Sequence, residues 1–372
     1  MAPVVAALRK SRQLETRLAL TGQHSDLLEQ ALGTFRLKAD YDLGIMREGQ
    51  SLYDVGHGCL DGLREVVQTY SPDIVLVQGD TATVFFASLV AYFEKVQVGH
   101  VEAGLRSGDK WAPFPEEVFR RLTDVLTDLY FAPTLLAAES LLAEGVRPDR
   151  IHVTGNTVVD ALLEVIASDR ESEDPSLAAI LADRDSRLVL LTAHRRESFG
   201  KPLREVFTAV RQIVDEHPDV KVLYPVHPNP NVTGMATELL GNHPRIHLVE
   251  PLAYLDLVTA LKYAHLILTD SGGIQEEAPT FGTPVLVLRE VTERPEGVAA
   301  GVTRLVGTDG DRILKEARDL LARPGALAGN GMKAEESAPN PYGDGRAGDR
   351  IADIVVSTLT GSVRSTSDWK GP

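Results

Sequence analysis

Several short stretches of this chain place ionisable side chains directly after apolar runs. Carboxylates occur at Asp80 in VQGDTAT, Glu102 in GHVEAGLRSG and Glu116-Glu117 in PFPEEVFRRL. Imidazoles follow at His194 in LLTAHRRESFG and His227 in YPVHPN. Clustered carboxylates raise one another's pKa values, so one can hold a proton near neutral pH while another accepts one. Arg195 and Arg196 have the planar fork that grips phosphate oxygens, and His194 can donate to a leaving diphosphate. Blander readings stand beside these. Asp80 could simply cap a helix starting at Thr81 or Ala82, Glu116 and Glu117 suit any helix start through the macrodipole, and the His194 cluster and His227 could be surface or structural groups. Glu102 has no capping job, since it follows a buried run and precedes a glycine loop, so it leans towards chemistry.

A second kind of site is written between residues 265 and 297. An apolar run ending at Leu268 is broken by Asp270-Ser271-Gly272-Gly273, after which a helix capped by Ser271 or Asp270 is predicted. The two glycines let a ligand approach backbone amides closely, as at phosphate-holding helix N-termini. Glu276 and Glu277 fall in the first turns, where a carboxylate can accept hydrogen bonds from ribose hydroxyls. An ordinary strand-turn-helix-strand unit with charged, solvent-facing residues has the same pattern.

The elements that must position these groups alternate along the chain. Strands are predicted at 17–20, 74–77, 96–101, 129–131 and 151–153, and again at 188–191, 220–224, 246–249, 266–269, 285–288 and 303–306. Helices of about ten residues or more lie between most of them, while 40–42 and 48–51 read as loops. This is the pattern of α/β, doubly wound parallel sheets in two Rossmann-like halves. The expected domains are 1–167 and 168–345, with helix 346–360 joining the first and a frayed tail at 361–372. Ligands of open α/β sheets bind beyond the carboxyl ends of strands, a rule that selects His24, Asp80, Glu102 and Asn156 in the first half and His194, Arg195, Arg196, His227, Asp270 and Ser271 in the second.

Bulk properties exclude some classes. With 372 residues two domains are expected, and a formal net charge of -15 argues against nucleic acid as a partner. The single cysteine, Cys59, rules out an internal disulfide, and there is neither a zinc-ligand pattern nor a GxGxxG after a strand. No apolar run approaches the ~20 residues of a membrane helix, and Arg9 and Lys10 interrupt the only candidate signal region. The expectation is a cytoplasmic protein with no membrane partner.

DSGGIQEEAP, followed by GTPVLVLRE and TERPEG, resembles the nucleotide-binding segment of the non-hydrolysing UDP-N-acetylglucosamine 2-epimerases of bacteria. GDT, HVEAGLRSGD and PEE followed three residues later by Arg120 resemble that family's catalytic segments. The resemblance implies a GT-B-like fold with the active site in the cleft between its halves. It also implies reversible conversion of UDP-N-acetylglucosamine (UDP-GlcNAc) to UDP-N-acetylmannosamine (UDP-ManNAc) by elimination and re-addition of UDP, supplying ManNAc units for cell-surface polysaccharide. Asp80, Glu102 and Glu116 carry over as catalytic carboxylates, with His194 at the diphosphate. Arg120 and Asn156, then Arg195, Arg196, Glu197, Ser198 and His227, then Ser271, Gly272, Gly273, Glu277 and Arg294 carry over as contacts to UDP or sugar. Gln23, His24 and Gln50 resemble a regulatory UDP-GlcNAc site. A homodimer and a reaction without metal or other cofactor are implied as well.

Other readings are a hydrolysing epimerase, a glycosyltransferase using the same UDP site, and a silent UDP-sugar-binding protein. The chain departs from the family at Phe119, commonly Asn, and at Ala193, commonly Gly. Family members also begin earlier, with a first strand and a GTRPE-type loop carrying an active-site Arg before the segment seen here at Met1-Ala2-Pro3. The expectation is a start placed too late, the alternative being a truncated, inactive form.

Overall fold

The computed structural model describes residues 1–22, 26–47, 49–168, 174–183, 185–195, 198–322 and 339–372. Its backbone falls into two compact units, Met1–Leu163 with Tyr342–Pro372, and Glu164–Pro341. Among the described residues no helix is long and apolar enough to cross a membrane.

In the first unit the strands are β1 (Ala19–Leu20), β2 (Tyr41–Asp42), β3 (Ile74–Gln78), β4 (Gln97–Val101), β5 (Leu129–Ala132) and β6 (Ile151–Val153). They form a parallel sheet ordered β3-β4-β5-β6 and a separate parallel pair, β1-β2. Apolar runs become strands here because both faces are covered. Val4, Leu8, Ile351 and Val355, from helices Ala2–Lys10 and Ala347–Thr360, pack with Val101 and Phe131. Helix Leu52–Tyr70 starts at a capping box, Ser51 with Asp54, and buries Val55, Cys59, Leu63 and Val67, one stripe at helical spacing.

The second unit holds β7 (Arg187–Thr192), β8 (Val220–Pro225), β9 (Ile246–Val249), β10 (Ala264–Thr269), β11 (Val285–Val287) and β12 (Thr303–Leu305). All pair in parallel, in the order β12-β11-β10-β7-β8-β9. All six residues of β10 are buried, as a central strand requires. Helix Lys201–Glu216 buries Leu203, Val206, Phe207, Val210, Ile213 and Val214 against β7 and β8. Strand order reverses between β7 and β10, so the crevice at their carboxyl ends is this sheet's natural binding position.

Two sequence expectations are corrected. Residues 40–42 contain strand β2, whose short, polar sequence carries no apolar signal. The tail 361–372 is tied down rather than frayed. Ser365 N and Thr366 N donate to Asp353 Oδ2 at 2.8 and 2.6 Å, and Trp369 N donates to Val153 O at 2.8 Å. The Trp369 side chain is buried with Ala103, Tyr130 and Ala132, and burying so large an aromatic surface outweighs the disorder its polar neighbours would favour.

Candidate functional site

Register brings the first unit's carboxylates together. Gln78 pairs with Val101, so Asp80 and Glu102 leave adjacent strands at the same end. The chain turns at Gly79 with φ +83°, and a Cβ there would stand 3.4 Å from Glu102 Oε2, which places the Glu102 carboxylate over that turn. Glu102 itself has φ +65°, a left-handed conformation costing about 1–2 kcal/mol in a residue with a Cβ. Nothing in local sequence favours that strain, so it marks a position held for its side chain.

Helix Glu116–Leu126 supplies the third side of the cluster, and its amphipathicity is inverted. Its buried residues are Glu117, Arg120, Thr123 and Asp124, whereas Leu122 and Val125 are exposed. The spacing of 117, 120 and 124 puts one polar stripe inward. Arg120 bridges carboxylates from two elements: Nη2 donates to Asp80 Oδ2, and Nη1 donates to Glu117 Oε2 at 3.0 Å. Glu117 Oε2 also accepts from Ser107 N at 3.0 Å, while Glu117 Oε1 is buried without a hydrogen bond. Glu116 is half-buried at the helix start, one turn before Arg120. The inward polar stripe is the signal that selects Glu117, rather than its neighbour, as the Arg120 partner.

Asn156 does a local job. It is 1% exposed, and its Oδ1 accepts from Val158 N at 3.1 Å at the start of helix Thr157–Ala167. Gln50 is likewise engaged in its own loop, accepting from Arg47 N at 2.5 Å and donating to Ile45 O at 2.9 Å. Gln23 and His24 lie outside the described residues. Phe119 stacks on Phe85 at 5.5 Å with 9° between ring planes, which anchors the helix where an Asn would not.

The second unit's cluster forms at the β7/β10 crevice around Asp270, which is 1% exposed. Asp270 Oδ2 accepts from His194 N and Arg195 N at 2.7 and 2.8 Å, and Oδ1 lies 3.2 Å from His194 Nδ1. Burial alone would raise the Asp270 pKa, but His194 and these two amides hold it below the usual carboxylate range. Arg195 Nε donates to Asp270 O at 3.1 Å. His194 is about half exposed and stacks face to face on His227, with centroids 5.5 Å apart and 6° between planes. His227 Nδ1 accepts from Asn229 N at 3.2 Å, so its proton sits on Nε2. Burial and the adjacent His194 both lower the His227 pKa, in keeping with a neutral ring. Ser198 is buried, its amide bound to Arg195 O at 3.1 Å, and Ala193 O accepts from Tyr224 OH at 2.7 Å. Arg196 and Glu197 lie outside the described residues.

After Asp270, Ser271 begins helix Gly272–Glu277 without using its hydroxyl as a cap. A Cβ on Gly272 would crowd the Arg294 guanidinium at 3.0–3.2 Å, whereas a Cβ on Gly273 would meet nothing closer than Ser271 Oγ at 4.0 Å. Arg294 Nε donates to Glu276 Oε1 at 2.9 Å, so the two are fixed as a pair. Glu277 is buried, and burial pushes its pKa up to about 7; the Tyr254 hydroxyl lowers it and the charge on Glu276 raises it. Such a carboxyl is ready to ionise when hydroxyl donors arrive. The structure thus groups Asp80, Glu102, Glu116 and Arg120 in one unit, and His194, Arg195, His227, Ser271, Gly272, Glu277 and Arg294 on neighbouring segments of the other. Asp270, which the strand-end rule selects, anchors the second group through His194 and two main-chain amides rather than as a helix cap.

Comparison with known proteins spans both units. Residues 6–356 match the family model described as UDP-N-acetylglucosamine 2-epimerase. The UDP-N-acetylglucosamine 2-epimerase of Bacillus subtilis is 46% identical over 356 residues, covering 96% of this chain and 91% of that protein. The Escherichia coli K12 enzyme of the same name is 45% identical over 359 residues, covering 95% and 94%. The crystal structure of Neisseria meningitidis UDP-GlcNAc 2-epimerase bound to UDP-GlcNAc superposes with a TM-score of 0.85 at 39% identity, covering 97% of this chain and 96% of that one. With this likeness running through both units, the chain belongs to the UDP-N-acetylglucosamine 2-epimerase family.

Proposed function

We propose that this protein interconverts UDP-GlcNAc and UDP-ManNAc by eliminating UDP and adding it back. The observation that carries the reading is Glu102, held in a strained left-handed conformation with its carboxylate over the turn that presents Asp80. A carboxylate removes the proton from carbon 2 of the sugar. The C–H electrons become the C1–C2 double bond, and the C1–O bond breaks with its electron pair leaving on UDP. In the second step UDP oxygen attacks C1 and a proton reaches C2 from the opposite face, which inverts that centre. No carbonyl acidifies the C2 hydrogen, so cleavage of the C1–O bond runs ahead and positive charge gathers at C1, where carboxylates stabilise it.

His194, held beside Asp270, together with Arg195 takes the growing negative charge on the diphosphate. Glu277 receives the ribose hydroxyls, with Ser271 and Arg294 close by in the chain. Glu116 is the further carboxyl of the proton pair, and Arg120 holds Asp80 in place.

The protein works as a homodimer in this reading. Support comes from the outward apolar residues of three helices, Tyr53 of Leu52–Tyr70, Tyr92 and Phe93 of Ala82–Phe93, and Val125 of Glu116–Leu126, which are 60–82% exposed. Its single cysteine, a buried free thiol, suits the cytoplasm, and the product would supply ManNAc for cell-surface polysaccharide. A regulatory UDP-GlcNAc site using Gln50 would require that side chain to leave its loop contacts.

The test is incubation with UDP-GlcNAc in deuterated water, followed by proton NMR. UDP-ManNAc carrying deuterium at carbon 2 is expected. Stoichiometric free UDP and ManNAc would replace epimerisation by hydrolysis, and the absence of both exchange and epimer would overturn the proposal.

A further inference from the structure

Beneath the Gly79 turn lies a buried histidine to which the reaction assigns no role. His100, in β4, is fully buried, and both its ring nitrogens are engaged. Nε2 is 2.8 Å from Gly79 O, and Nδ1 is 2.7 Å from Asp124 Oδ1. A backbone carbonyl has no proton to give, so Nε2 carries one. Asp124 Oδ2 meanwhile accepts from Arg106 Nη2 at 2.7 Å and Gly104 N at 3.3 Å. A carboxyl so placed beside a guanidinium is ionised, and its Oδ1 then accepts from Nδ1, which carries the second proton.

The groups around the ring fit a cation. Asp124 faces it from helix Glu116–Leu126, and Tyr130 of β5 donates to Asp124 O at 2.7 Å from behind. Arg106, on the segment after β4, is paired in turn with Glu144 by bonds of 2.8 and 2.7 Å. Histidine, aspartate, arginine and glutamate thus alternate in sign, and the Asp80 and Glu102 carboxylates stand at the ends of the strands that the ring joins. Although burial would raise it, the Asp124 pKa lies below the usual range because of His100 and Arg106.

We propose that His100 donates from both ring nitrogens and is a positioning residue, clamping the Gly79 carbonyl, and with it the turn that aims Asp80, to the helix bearing Glu116, Glu117 and Arg120. Three separate segments of the carboxylate rim meet on this one ring: the end of β3, β4 below Glu102, and the helix through Asp124. The kinetic part rests on the proposed epimerisation, whereas the protonation state does not.

The experiment uses full-length protein carrying ¹⁵N-labelled histidine rings. Long-range ¹H–¹⁵N correlation at pH 7 should show one ring with both nitrogens protonated, lost from the spectrum of His100→Gln. A His100 ring with one bare nitrogen at pH 7 overturns the proposal. In the epimerase assay His100→Phe should lower kcat about 100-fold, the scale of a small misplacement of reacting groups, with KM within about threefold of wild type. His100→Gln, whose amide can still donate towards Gly79 O, should recover about tenfold of that loss. Unchanged kcat in a folded His100→Phe overturns the positioning role, and if that variant fails to fold, the wild-type spectrum and the Gln variant still decide. Wild type inactive in the assay but with both ring nitrogens protonated would sink the epimerase reading and uphold the doubly donating ring.

Discussion

At the first unit's rim, ionisable groups are held side chain to side chain, Asp80 and Glu117 by Arg120, and Asp124 by His100 and Arg106. At the second unit's rim, one carboxylate grips the main chain, with Asp270 fastening two successive amides and orienting His194. The first arrangement aims carboxylates by charges, so each member depends on its partner's sign. The second makes a loop rigid through bonds that need an acceptor more than a charge. A proton-transfer site would suit the former, since neighbouring charges set how readily each carboxylate takes or releases a proton. Holding a ligand of constant charge calls for the latter.

Variants can break that contrast. Arg120→Met should have the largest effect on stability, because it strands Glu117, 1% exposed, without its counter-ion. Losing one partner of a buried pair costs about 3–5 kcal/mol, readable by chemical denaturation. A loss below about 1 kcal/mol would mean that Arg120 does not hold the rim together.

Asp270→Asn should behave differently, since an amide oxygen still accepts from both backbone N–H groups. Stability should fall by less than about 1 kcal/mol, while UDP affinity, measured by calorimetry, should fall about tenfold as His194 loses its counter-charge. If stability collapsed instead, the Asp270 charge rather than its acceptor geometry would be what orders the loop.

Glu277 sharpens the comparison through pH. Its folded pKa of about 7 lies above the ordinary 4.5, so the native state prefers the protonated form. That preference stabilises the fold below pH 4.5 and is lost as pH rises from there through 7. Glu277→Gln does not ionise, and its Tm relative to wild type should therefore be higher at pH 8 than at pH 5. Uridine, with no phosphate to titrate in this range, should bind wild type more tightly as pH rises through 7, because ribose hydroxyls prefer the ionised carboxylate. The Gln variant should show no such rise; a pH-independent wild type would remove Glu277 from the ribose site.

Much of this was legible in the chain itself. Parallel strands buried on both faces read as apolar runs, so β3 to β12 and the residues that follow them were visible from pattern and the strand-end rule. Other features depend on tertiary contacts. Which of Glu116 and Glu117 meets Arg120 is decided by which face of an inverted helix points inward, and a capping box or macrodipole argument treats the two alike. Asn156 reads as a rim ligand because it follows a strand, and pattern alone does not show that its Oδ1 also serves the next helix. The tail read as disordered from its serines and threonines, while buried Trp369 and the amide bonds of Ser365 and Thr366 to Asp353 fix it. The pairing of His100 with Asp124 joins residues 24 positions apart, and no local signal carries it.

The most direct test of the central claim, that the first unit's carboxylates move the proton at carbon 2, is deuterium wash-in. Wild type and the separate variants Asp80→Asn, Glu102→Gln and Glu116→Gln would be given UDP-GlcNAc in deuterated water, with incorporation at carbon 2 followed over time. At least one variant should lose exchange by about 100-fold or more, the usual scale of general acid–base catalysis, while binding UDP as wild type does. Exchange at the wild-type rate in all three would contradict the assignment and send the search for the acid and base elsewhere in the molecule.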